Sequence, residues 1–142
     1  MATPRGERAV TQDRVAFARM MWDTWSPPGW YEEHDFSLAA QAFEGDDWPQ
    51  VVLHSYRHRW GFVPGDPVYA DDERRLQPAP VLAVPTLVIH GAADACNHVD
   101  TSAGRERYFK GRYERTVLDG VGHFPQREAP QEVAQRILAF CA

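Results

Sequence analysis

The sequence predicts an α/β protein: a helical first part, then a β-α-β-α piece of a parallel sheet. Three observations carry this. "TLVIHG" at 86–91 is a continuous β-rich apolar run closed by glycine, as expected of a strand covered on both faces. "YERTVLDG" at 113–120 reads as a second strand. "APQEVAQRILAFC" at 129–141 places Val133, Ile137, Leu138 and Cys141 on one face of a closing amphipathic helix. Strand, crossover, strand implies a parallel pair.

The earlier elements follow in order. "TQDRVAFARMMWDTW" puts Val15, Ala18, Trp22 and Trp25 at helical spacing over 11–25, and "SPPGW" stops that helix. A second helix is predicted from Asp35, as N-cap, to Phe43, with Gly45 ending it. A third follows "GDD", takes Pro49 in its first turn and ends at Gly61. "DPVYADDERRL" forms a fourth, capped by Asp66 with Pro67 at its first position. "QPAPVLAVP" is a stiff extended connector, and residues 101–109 are predicted to form a short helix between the strands. The division expected is 1–80 helical and 81–142 sheet-forming. Two strands alone do not make a stable sheet, so the second part reads as a piece of a larger one.

Composition narrows the function. The chain has 142 residues, 44% hydrophobic and 25% charged, with a net charge of −5. An acidic balance without basic runs argues against nucleic acid and anionic membranes as partners; "RHR" at 57–59 is too short to follow a phosphate backbone. Two cysteines, Cys96 and Cys141, fit reduced thiols better than a disulfide framework. With no apolar signal segment and no run approaching a membrane span, a cytoplasmic location is expected. No feature calls for a cofactor.

The chemistry concentrates where the strands end. In an open α/β sheet, ligands bind at the carboxyl edge, where the βα loops emerge. Here those loops are "HGAADACNH" and "DGVGHFPQRE", and adjacent parallel strands bring them side by side. Asp94 and His123 can therefore meet. A carboxylate on one imidazole nitrogen fixes the tautomer and leaves the other nitrogen free to take a proton.

"VPTLVIHGAAD", "VLDGVGHFPQREAP" and the final helix together resemble the C-terminal end of the α/β-hydrolase fold. In that family an acid follows the penultimate strand in a G-x-x-D turn, matched by Gly91 to Asp94. The base follows the last strand in a G-x-G-H turn, matched by Gly120 to His123. The resemblance covers residues 84–142 and implies a catalytic role for both. "ACNHVD" departs from the proline that often follows the family's acid turn.

The helical part is similar to the cap inserted in such hydrolases. "DDWPQVVLHSYRHRWG" resembles the cap helix of the epoxide hydrolase and haloacid dehalogenase branch, where a tyrosine hydrogen-bonds the oxygen of an opening epoxide. The resemblance puts Tyr56 in that role; Trp60, on the same helix, is expected to contact the substrate as well. Helical spacing places Tyr56 on one stripe with Val52, Leu53 and Trp60.

Other residues weigh less. His54 and His58 have a zinc-compatible spacing but no acidic residue between them and no third ligand. His34, His90 and His98 carry no spacing signal. Cys96 lies near Asp94 without the positive surroundings a reactive thiol needs.

The nucleophile elbow the family requires, G-x-S-x-G or a variant, is not found; "DTSAG" at 100–104 has Asp100 where the first glycine belongs. The expectation is a C-terminal portion of an α/β-hydrolase-fold enzyme, inactive alone. It would act on a small-molecule substrate once joined to a nucleophile-bearing half. The alternatives are a non-catalytic module pairing with itself or a partner chain through a strand edge, and a carboxylic ester hydrolase.

Overall fold

The structure is a computed structural model and describes residues 3–142. The helical cap region precedes a strand-helix-strand-helix segment with a parallel sheet, in the order read from the sequence. Contacts divide the chain into two compact units. One takes in the chain through Met21 together with Glu32–Gln77; the other is Trp22–Tyr31 with Pro78–Ala142. The end of the second helix and the turn after it, Trp22–Tyr31, thus pack with the sheet segment.

In the first unit, α1 (Pro4–Gln12) begins at Thr3, whose hydroxyl accepts the Gly6 amide. It lies where no helix was expected, because proline and glycine stand among its first three residues and its apolar content is low. Asp13 separates it from α2 (Arg14–Trp25), so the single predicted helix over 11–25 is two. In α3 (Glu33–Gln41) the N-cap is Glu32; Asp35 sits three residues later and returns its side chain to the Glu32 amide, a reciprocal capping box. α4 (Trp48–Arg59) carries Pro49 in its first turn and gives way at Gly61, whose φ is 73°. Asp66 caps a single 3-10 turn at Pro67–Tyr69, and α5 (Ala70–Leu76) continues from it. Val10, Ala18, Phe36 and Leu53 form the core of this unit. Arg19 lies over the Phe36 ring while both of its terminal nitrogens donate to Glu33, so its stem and head serve different partners.

In the second unit, β1 (Thr86–Gly91) pairs in parallel with β2 (Tyr113–Leu118), from Thr86 opposite Tyr113 to Gly91 opposite Leu118. The connector joins them through a single bridge of Leu82 to Phe109. Residues 101–109 are not one helix but parts of two 3-10 turns, Val99–Ser102 and Glu106–Tyr108. The break falls at Gly104, at φ 65°. α6 (Pro125–Glu128) and α7 (Pro130–Cys141) end the chain. No residue of α7 is buried, and Leu138 is 71% exposed: with two strands to pack on, its apolar face is covered only in part. Among the described residues no helix is long and apolar enough to cross a membrane.

Candidate active site

The last residue of β1 is Gly91, and the chain turns at once into the loop carrying Asp94. Ala92 donates to the Leu118 carbonyl at 2.9 Å and Ala93 to that of Val121 at 2.8 Å. The two loops are thereby bound to each other by backbone before any side chain is involved. After β2, Gly120 takes a φ of 72°, a conformation side-chain-bearing residues avoid. Gly122 has a different reason to be glycine. A Cβ there would sit 2.5 Å from the Ser26 Cα, inside van der Waals contact.

This places Asp94 and His123 together, as their spacing predicted. Asp94 Oδ1 accepts the amides of Cys96 and Asn97, both at 2.8 Å, and Oδ2 accepts His123 Nδ1–H at 2.9 Å. The Asp94 side chain is 6% exposed and that of His123 is 23% exposed. Burial pushes the Asp94 carboxyl up. The Asn97 amide, the His123 ring, the Cys96 amide and the charge of His123 more than offset it, holding Asp94 below its ordinary value. The carboxylate is thus ionised at neutral pH. With Nδ1–H committed to it, Nε2 has no hydrogen-bond partner among the described residues, and the ring borders a cavity of about 380 Å³ shared with Asn97, Thr101 and Gln126.

Two neighbours of the pair were not among the site residues expected from the sequence. His90 Nε2 lies 3.5 Å from the same Asp94 oxygen and 3.0 Å from the Asn97 carbonyl, which can only accept. That nitrogen therefore carries a proton, and Nδ1 meets Ser102 Oγ at 2.7 Å. Trp25 sets its ring edge-on against His123, centroids 4.9 Å apart, and its carbonyl accepts the Ala95 amide. The position of His90 at the end of a strand, one residue before the G-x-x-D turn, was the available clue. For Trp25 there was none, since its partners lie far along the chain.

The Cys96 thiol is pushed up by loss of solvent around the sulfur and by the Asp94 charge, the opposite of what a nucleophile needs. Of the helical-unit residues, Tyr56 is half-buried on α4 near Leu53, while Trp60, at the end of α4, is 69% exposed. The inward stripe therefore ends before Trp60, where the helix has already unwound. His54 and His58 stack at 6.0 Å, and His58 Nε2 is 2.9 Å from Glu73 Oε1. Among the described residues no cluster of three or more His, Cys, Asp or Glu is arranged to hold a metal ion.

A presumed epoxide hydrolase of Klebsiella pneumoniae subsp. pneumoniae superposes on 98% of this chain with a TM-score of 0.89 and 34% identity, over 46% of that chain. The fold is that of the α/β-hydrolase superfamily. Cfl2 of Burkholderia cenocepacia shares the fold at 18% identity, with a TM-score of 0.70 over 99% of this chain and 44% of its own. In sequence, epoxide hydrolase A of Mycobacterium tuberculosis is 32% identical over 87 residues, which are 58% of this chain and 27% of that protein. No family model matches the chain. The chain spans under half the length of these α/β-hydrolase-fold relatives.

Proposed function

We propose that this chain is the base-bearing portion of an α/β-hydrolase-type active site, non-catalytic by itself and made competent by pairing with a nucleophile-bearing segment. The observation that carries the reading is the 2.9 Å bond from His123 Nδ1 to Asp94, with Nε2 left free beside a cavity. Such a pair activates a hydroxyl or water and does not itself attack carbon. No serine or aspartate of the chain lies in a G-x-S-x-G pattern or its aspartate counterpart. Each strand of the two-stranded sheet also keeps one edge without a ladder partner among the described residues, and a pairing segment would fill such an edge.

Within that reading the substrate is an epoxide. Supporting it are the names of the Klebsiella and Mycobacterium relatives and the resemblance of α4 to a cap helix bearing an acidic phenol. A carboxylate supplied by the pairing segment opens the ring. The carbon–oxygen bond breaks as Tyr56 gives its phenolic proton to the departing oxygen, and a hydroxy ester forms. His123 Nε2 then takes a proton from water while Asp94 stabilises the imidazolium, and the hydroxide attacks the ester carbonyl. The ester C–O bond breaks, the imidazolium returns its proton to the leaving oxygen of the diol, and the freed carboxylic acid releases the proton that restores Tyr56.

The test is a chimera joining the preceding portion of the Klebsiella protein to this chain, assayed beside the chain alone. Expected are epoxide turnover by the chimera, lost in His123→Ala, and none by the chain. His123-dependent turnover by the 142 residues alone would place the nucleophile within them. A folded chimera that cleaves esters and ignores epoxides would sink the epoxide assignment.

A further inference from the structure

His123 can serve as a base only if its ring is held in register with Asp94, and the carboxylate is fixed by its own turn. What fixes the histidine is a second carboxylate. Glu128, the last residue of α6, folds back beneath the turn from which α6 starts. Its Oε2 accepts the Gly122 amide at 2.5 Å. Its Oε1 accepts the Phe124 amide at 2.8 Å and the Ser26 hydroxyl at 2.7 Å. Ser26 Oγ in turn accepts the amide of His123 itself, at 2.9 Å. Three consecutive backbone N–H groups, those of residues 122, 123 and 124, thus end on one carboxylate and the hydroxyl it orients.

The arrangement fits orientation of the ring. Ser26 is 7% exposed, and the close approach of Gly122 to it leaves no slack in the turn. Hydrogen bonds to an ionised acceptor are shorter and stronger than neutral ones. The residue before Ser26, Trp25, also bears on the histidine ring.

We propose that Glu128, acting with Ser26, is a positioning residue that holds the His123 backbone so that Nδ1 stays on Asp94. This rests on the reading of Asp94 and His123 as a working pair. Neither residue touches the reacting atoms; both act through the turn.

The test uses the 142-residue chain with 15N-labelled histidine and follows the low-field Nδ1–H proton of His123 by NMR. That signal is expected in the native chain and absent in Asp94→Asn. In Glu128→Gln an amide replaces one oxygen, so a donor faces a donor. Exchange of the His123 Nδ1–H with water should then quicken by about tenfold, the effect of losing one buried acceptor. The amides of the β1–β2 ladder should exchange as before, and Glu132→Gln, on exposed α7, should change nothing. A role in stability alone would accelerate ring proton and ladder amides together, and that result would overturn the proposal. So would an unchanged ring proton. If Glu128→Gln does not fold, Ser26→Ala, which leaves the His123 amide without its acceptor, is judged by the same two rates. Persistence of the signal in Asp94→Asn would instead remove the pair on which the proposal stands.

Discussion

Asp94 is held by amides two and three residues downstream of itself, whereas His123 is held by partners 29 and 97 residues away. The first loop closes on its own carboxylate and is nearly self-sufficient. The second contains two glycines and takes its rigidity from Glu128 and from Ser26 on a distant helix end. A site assembled from one locally fixed and one remotely fixed turn fails differently depending on which is disturbed. The acid can lose its chemistry while its loop keeps its shape; the base can lose its place while its ring remains intact.

The largest expected effect comes from breaking the chemistry alone. In Asp94→Asn the side-chain oxygen can still accept the Cys96 and Asn97 amides, so the loop survives. The amide NH₂, however, faces Nδ1 and forces the other tautomer. In the competent chimera the rate should fall roughly a thousandfold or more, with the circular dichroism spectrum unchanged. A loss below tenfold would mean that His123 works without Asp94.

Breaking the remote support comes next. Gly122→Ala drives a methyl into the Ser26 backbone, which cannot swing aside as a flexible side-chain tip would. Urea unfolding should show a loss of about 3 kcal/mol, in the range of an overpacked interior. A near-neutral result would show that the Ser26 segment is free to move, and the remote half of the comparison would fall.

These two substitutions also mark what was legible beforehand. The acid turn could be read because its determinants lie within a few residues: a glycine ending an apolar strand, then an aspartate able to close on the amides after it. The histidine turn was legible in its glycines and its base, and silent about Glu128 and Ser26. Nothing local marks a glutamate as a partner of amides upstream of it, or ties a serine in "SPPGW" to a loop 97 residues later. The same limit explains the other differences. Asp35 was read as the cap, yet the capping box is reciprocal: Glu32 is the N-cap and Asp35 answers it from the third helical position. Residues 101–109 were expected to form one helix, but Gly104 at positive φ divides them. Trp60 fell on the right stripe by angle, though α4 ends before the angle applies.

A pH series sharpens the comparison on the acid side. Asp94 is depressed in the folded chain, so it contributes stability that is fully present above its ordinary value near 3.8 and is lost as pH falls through the lower folded value. Asp94→Asn has no such group. The difference in unfolding free energy between the native chain and the variant should therefore shrink as pH falls below about 4. A gap that widened below that pH would mean that burial outweighs the hydrogen bonds on the carboxylate.

The smallest effect separates two glycines in one turn. Gly120 has a φ of 72° and open space where a Cβ would go; Gly122 is crowded. Alanine at 120 should therefore cost about 1 kcal/mol, the price of a left-handed conformation and nothing more. Asparagine, which tolerates that region, should recover most of the loss at 120 and none of it at 122. Matching urea midpoints for the four variants would decide it. If asparagine were as damaging at 120 as at 122, the turn would be sterically closed along its whole length, and the support of His123 would extend beyond the carboxylate and hydroxyl beneath it.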